Sequence, residues 1–290
     1  MIDLHLHSTS SDGLNTPSQL IDKALKLNLK AIALTDHDTI DGLGDFLSYG
    51  EKKDLIVIPG IEISIKHEPE RELIDIHILG LNIDHNSTKL IKSIENQIRG
   101  RLEQKEAICN RLRNEFDYNI SFEEVKAIAG GKVIGRPHIV EIMIKNNPDK
   151  IKRQSKKDLF KMISIGGVAF VDREIELNLE ESIDLIKSVG GIPILAHPGI
   201  YQVSNRVKFI EFCVEAGIEG IEIEYTYAKN RPFYETDKAT WAQEFFPNYY
   251  RNIAEKYNLI KSGGSDYHGG IKGIKIGDAN VPNEYLKSFI

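Results

Sequence analysis

The chain has only two cysteines in 290 residues, Cys109 and Cys213. Neither stands in a CxxC pair, which argues against a disulfide framework and a thiolate zinc site. The opening residues Met-Ile-Asp-Leu-His lack the basic and apolar regions of a signal peptide. No apolar run approaches the ~18 residues that span a bilayer. Positive charge is also in short supply. The 37 Lys and Arg face 43 Asp and Glu, a net charge of −6. That argues against a broad nucleic-acid-binding face and leaves room only for a local basic pocket. There is no GxxxxGK[ST] phosphate loop, no Ser-His-Asp arrangement, no internal repeat and no low-complexity segment. The expectation is a reduced, cytoplasmic protein with no membrane association and no stable nucleic-acid complex. At 41% hydrophobic and 28% charged residues, it has the composition of an ordinary globular chain.

What is present is a series of short apolar runs. They are Ile2 to Leu6, AIALT (31–35), LIVIPGIEI (55–63), IDIHILGL (74–81), GGVAFV (166–171), GIPILAH (191–197), GIEGIEIEY (217–225) and LIKSGGSD (259–266). Runs this short and rich in Ile, Val and Leu suit strands buried on both faces. Helical patterns separate several of them. TPSQLIDKALKLN (16–28) offers Thr16 as N-cap and Pro17 at the first helical position. NLEESIDLIKSVGG (178–191) has a polar cap and a glycine stop. The alternation implies a largely parallel α/β sheet or barrel. Residues 87–161 break this rhythm and read as successive helices, among them 88–114 and a capping box at SFEEVKAIAGG (121–131). We take 87–161 as a helical insertion carried on a body of 1–86 and 162–290. The Gly-Gly pairs at 130–131, 166–167, 190–191, 263–264 and 269–270 read as turns and helix caps.

The polar residues collect at the strand ends, where parallel α/β folds build their sites. Six of the nine histidines fall there: His5, His7, His37, His77, His197 and His268. Asp12, Asp36, Asp38, Glu62 and Asp266 accompany them. A single histidine at a strand end is usually just a satisfied polar residue. So many imidazoles and carboxylates at one end of a sheet would be costly to bury without cations. Alternate residues of a strand share a face, so His5 and His7 can grip one ion. These donors suit zinc, manganese or iron, and their number suggests two to three divalent ions. His67 and His85 read as solvent-exposed, and His138, after GRP, is open to either reading.

With these residues in view, DLHLHSTSSDG, LTDHDT, GIEIS, HILG, ILAHPG and GSDYHG resemble, in order, the motifs of the PHP (polymerase and histidinol phosphatase) superfamily. The resemblance runs from Asp3 to about Gly270. It implies a distorted (β/α)7 barrel with a helical insertion and a trinuclear metal centre. By that likeness His5, His7, Glu62 and Asp266 hold one ion. Glu62 bridges to a second ion held by His77 and His197, and Asp12, His37 and His268 hold a third. Arg136 in GRPH and Arg173 in FVDRE resemble phosphate-binding arginines, and guanidinium suits phosphate. Asp172 stands where related sequences usually have proline.

The implied function is a metal-dependent phosphoesterase that hydrolyses phosphomonoesters with metal-activated water. Its small phosphorylated substrate would be a nucleoside 3′,5′-bisphosphate or the 5′ end of a short RNA. The implied catalytic residues are His37, Asp38, Arg136 and His268. Three alternatives compete: a histidinol-phosphate phosphatase, a non-catalytic metal-binding PHP module, and a metal-dependent deacetylase or amidohydrolase. Tyr201, Tyr225 and Tyr227 follow strands and suit either base stacking or packing. The Lys and Arg residues of 99–113 suit either a nucleic-acid contact or, more simply, a solvated helix face.

Overall fold

The computed structural model describes residues 1–129, 134–152, 154–270 and 273–290. The chain divides into two compact units, Met1–Ile94 with Leu177–Ile290, and Glu95–Glu176. The strands are β1 (Ile2–Asp3), β2 (Ala31–Leu34), β3 (Ile56–Ser64), β4 (His77–Leu81), β5 (Ile192–Leu195), β6 (Gly220–Glu224) and β7 (Ile260–Gly263). The helices are α1 (Pro17–Lys26), α2 (Leu43–Gly50), α3 (Thr88–Phe116), α4 (Phe122–Ala129), α5 (Arg136–Asn146), α6 (Pro148–Ile151), α7 (Lys156–Ile163), α8 (Leu179–Ser188), α9 (Arg206–Glu215) and α10 (Ala239–Tyr257).

In the first unit the seven strands pair in chain order, β1 through β7. The two ends of the sheet then meet. The Leu4 amide donates to the Gly263 carbonyl at 3.1 Å, and the Asp266 amide to the His5 carbonyl at 3.0 Å. The result is a nearly closed, distorted (β/α)7 barrel. Its apolar runs are core: Leu4, Ile32, Leu34, Ile61, Ile63, Ile78 and Ile221 have no exposed surface. Each such side chain contributes about 1.5–3 kcal/mol by leaving water. The helix starts follow the sequence signals. The Thr16 hydroxyl accepts from the Gln19 amide, and the Gln19 side chain accepts from the Thr16 amide. Asn178 and Glu181 close the same box on α8, and Ser121 and Glu124 on α4.

Two expectations need correction. The sheet is largely parallel, as expected, but β4, which carries His77, runs antiparallel to both β3 and β5. The link from Ser64 to His77 carries only a 3-10 turn at Pro69–Arg71 and no crossover helix. Parallel pairing requires such a crossover, so the strand returns antiparallel. His77 therefore begins β4 rather than ending it. The run GGVAFV forms turns rather than a strand. Gly166 takes a φ of 75°, and the Ala169 amide folds back to the Met162 carbonyl.

The second unit is helical in its described residues. Its core gathers Ile108, Cys109, Leu112 and Val125 with Ile139, Met143, Leu159 and Ile163 from the later helices. Both cysteines are free and buried, and burial pushes each thiol up to about 12, which makes them poor nucleophiles. No helix among the described residues is long and apolar enough to cross a membrane. The Gly-Gly pair at 130–131 lies outside the described residues.

Candidate metal centre

Beyond β1 the backbone stays extended enough to send His5 and His7 to one side, with ring centroids 5.1 Å apart. Gly264, just past β7, allows this approach. A Cβ there would sit 2.3 Å from the His5 Cβ. His37 follows β2, and Glu62 lies inside β3. His197 follows β5, and Asp266 and His268 follow β7. The antiparallel β4 brings its first residue, His77, to the same end, opposite Ser64. Asp38, His197 and Asp266 have φ of 48°, 29° and 55°, a conformation that costs such residues about 1–3 kcal/mol and collects at functional sites.

Glu62 is the hub, with no exposed surface. Its Oε2 lies 3.2 Å from His5 Nε2, 3.2 Å from His7 Nε2 and 3.0 Å from His37 Nδ1. Its Oε1 lies 2.8 Å from His77 Nδ1 and 3.0 Å from His197 Nε2. Asp266 Oδ1 is 3.1 Å from His7 Nε2, and Asp12 Oδ1 is 3.2 Å from His268 Nε2. Burial works against the charge on Glu62, but the surrounding His37, His5 and His77 hold its carboxyl well below the usual range. Burial likewise opposes the His7 imidazolium, yet the Asp266 and Glu62 carboxylates facing it push that ring up to about 10. At His37 burial wins and drives the ring down to about 3.

The donors fit divalent ions. His5 Nε2, both His7 nitrogens, His37 Nδ1, Glu62 Oε2, His197 Nδ1 and Asp266 Oδ1 are buried without a hydrogen-bond partner. Polar atoms so placed are expensive unless a cation gathers them. Among the described residues three groups bring their ligand atoms within 4.8 Å of one another. They are His5, His7, Glu62 and Asp266; His7, Asp12, His37 and His268; and His37, Glu62 and His77. Eight of the nine expected ligands fall in these groups. His197 stands outside them, although its Nε2 touches Glu62. Asp38 is also outside, and its Oδ1 accepts from the Ser64 amide at 2.8 Å.

An outer layer of polar residues surrounds these donors, and its member Glu222 was not singled out from the sequence. Glu222 on β6 is fully buried and bonds His5 Nδ1 at 3.1 Å. The Tyr225 hydroxyl donates to Asp266 Oδ2 at 2.8 Å, and the Tyr201 hydroxyl accepts from the His77 amide at 3.0 Å. Tyr201, Tyr225 and Tyr227 are 4%, 1% and 0% exposed, so they pack and leave no open face for a base. The available signal was charge at alternate positions of the buried run GIEIE. Asp36, which the sequence did flag, accepts from the Ser8 amide and from the Ser8 and Ser11 hydroxyls at 2.5–2.7 Å, fixing the loop that carries Asp12.

Arg136 and Arg173 lie in the second unit. Arg136 opens α5, and its Nη1 donates to Ser164 Oγ at 3.1 Å. Arg173 Nη1 is 2.9 Å from Glu176 Oε1. His138 is half-buried and caps α5, its Nδ1 accepting from the Gly135 amide. The solvated-face expectation fails at Lys105, which is 8% exposed. Burial, and then the charges of Arg101, Arg173 and Arg136, hold its ammonium well below the ordinary lysine range. His67 and His85 are half-buried rather than exposed.

The PHP domain family matches residues 3–170. The Escherichia coli 5′-3′ exoribonuclease Rnm is 29% identical over 95% of this chain and 87% of its own length. A phosphoribosyl 1,2-cyclic phosphate 1,2-diphosphodiesterase of Eggerthella lenta is 28% identical over 92% of this chain and 94% of its own. A 3′,5′-nucleoside bisphosphate phosphatase of Chromobacterium violaceum is 27% identical, covering 77% and 76%. A solved structure from Bifidobacterium adolescentis, assigned to the metal-dependent phosphoesterases, superposes with a TM-score of 0.76 over 99% of this chain and 94% of its own. At 24% identity that likeness speaks for the fold alone.

Proposed function

We propose, from the premise that this chain belongs to the PHP domain family, a metal-dependent phosphoesterase acting on nucleotides. We assign it a nucleoside 3′,5′-bisphosphate or the 5′ end of a short RNA as substrate, in line with two of its relatives. The observation that carries the reading is the knot of buried, unsatisfied imidazole and carboxylate atoms around Glu62. Divalent ions bound there, for which we propose manganese, zinc or iron, would supply positive charge for the phosphoryl oxygens and an activated water.

The chain's own residues do the rest. His5, His7, Glu62 and Asp266 hold one ion in this proposal. Glu62, His77 and His197 hold a second, and Asp12, His37 and His268 a third. His37 stays neutral at physiological pH because burial drives it down, which leaves one ring nitrogen with a lone pair for an ion. The Nδ1–H of His268 is spent on the Asp266 carbonyl at 2.9 Å, so Nε2 is the atom it presents to Asp12. Asp38 is tied to the Ser64 amide and acts by fixing the end of β3. Arg136 and Arg173 bind phosphate in this reading, on the chemistry of guanidinium and on the resemblance.

The test is hydrolysis with Mn²⁺ present, comparing adenosine 3′,5′-bisphosphate, a 5′-phosphorylated oligoribonucleotide and L-histidinol phosphate. Turnover of either nucleotide substrate ahead of histidinol phosphate is the expected result. Preference for histidinol phosphate would overturn the substrate class. No hydrolysis of any of them by metal-loaded protein would favour the non-catalytic module.

A further inference from the structure

Glu222 belongs to none of the three candidate ligand groups, yet it is fully buried against them. A buried carboxylate needs partners. Its Oε1 and Oε2 lie 3.1 and 3.3 Å from His5 Nδ1, and its Oε2 accepts from the His197 amide at 2.7 Å. The other nitrogen of the same ring, His5 Nε2, faces Glu62 Oε2 at 3.2 Å and Asp266 Oδ1 at 3.5 Å. Glu222 owes its aim to β6. Plain alternation would put Glu222 and Glu224 on one face, but the pairing with β7 shifts register between them. A bulge of this kind re-aims a side chain. Glu224 bonds Arg251 of α10, while Glu222 turns to His5.

We infer that Glu222 is a positioning residue that keeps the His5 proton on Nδ1 and leaves the Nε2 lone pair for the ion. This rests on the metal-centre reading above. A carboxylate behind an imidazole ligand fixes its tautomer and raises its basicity, and losing such a partner typically costs 10- to 100-fold in metal affinity. The His197 amide anchors the carboxylate from the other side, so the ring meets a held partner rather than a mobile one.

Two measurements test this on the whole chain. First, the Zn²⁺ affinity of wild type and Glu222→Gln is determined by chelator competition. A glutamine fills the same space and offers one acceptor in place of two. The expected result is a loss of roughly ten- to hundredfold in affinity, with the thermal midpoint of the metal-free protein held within a few degrees. Wild-type affinity in the variant would overturn the inference. Second, ring ¹⁵N spectra of Zn²⁺-loaded wild type need no variant at Glu222, and His5→Ala serves only to assign the signals. The expected pattern is Nδ1–H with Nε2 on the metal. The reverse pattern overturns the inference even if Glu222→Gln does not fold. Wild type that binds no Zn²⁺ at all would instead sink the metal-centre reading itself.

Discussion

The two units bury charge in opposite ways. The barrel gathers imidazoles and carboxylates around Glu62, so every negative oxygen has a nitrogen within reach. The helical unit gathers charge mostly of one sign. Lys105 is buried under the influence of Arg101, Arg173 and Arg136, with Glu176 as the opposing charge. The first arrangement leaves ligand atoms unsatisfied. The second holds its lysine against both desolvation and repulsion. A mixed cluster of donors suits cations, whereas burial and like charge push the lysine toward its neutral form.

The sharpest way to break this comparison is to remove a donor from the barrel cluster. His7→Ala and Asp266→Ala should each lower turnover by more than the ~100-fold that loss of an outer partner already costs, with the fold retained. Activity and bound metal measured together on the purified variants check this. Near-wild-type turnover in both would remove the cluster from the reaction.

A smaller effect is expected in the helical unit. Arg136→Ala should weaken phosphate-ester turnover by roughly ten- to hundredfold in kcat/KM, the scale of a lost charged hydrogen bond. Lys105→Met should act differently, because it removes a charge that folding disfavours. Burial lowers the folded-state pKa below the ordinary 10.5, so the unfolded chain binds the proton more readily. Wild-type stability is therefore penalised at neutral pH and recovers as pH rises toward 10.5. The variant should melt a few degrees higher at pH 7, and the gap should close at alkaline pH. Thermal melts at several pH values read both features.

A pH-dependent effect confined to stability lies at the base of β1. Burial raises the Asp3 carboxyl to about 6 from its ordinary 3.8, against bonds from Ser265 and Gly277. The folded state keeps a proton there that the unfolded chain gives up. This contribution is whole below pH 3.8 and is lost as pH rises through about 6, on the order of 3 kcal/mol in all. Asp3→Asn should remove that slope, which denaturant titrations of both proteins between pH 4 and 7 would resolve.

Much of the barrel and its cluster was legible beforehand because strand ends are written locally. An apolar run closed by His, Asp or Glu announces both its burial and its chemistry, as at GIPILAH and SGGSDYHG. Glu222 escaped notice because it sits within a run rather than at its end. Lys105 escaped because a lysine in a polar helix reads as solvated until the helices that cover it are known. The strand expected at GGVAFV failed for a local reason, since its glycines prefer a turn.

By itself, the sequence determined the α/β alternation, the helix starts at Thr16 and Asn178, and the ligand types at each strand end. These depend on periodicity and capping within a few residues. Only the tertiary structure decided that β4 runs backwards, that Glu62 joins five histidines, and that Glu222 stands behind His5. Those facts depend on pairings between residues up to 217 apart in the chain. Burial and mutual approach, which set both the cost of a charge and its pKa, exist only once such distant segments have met.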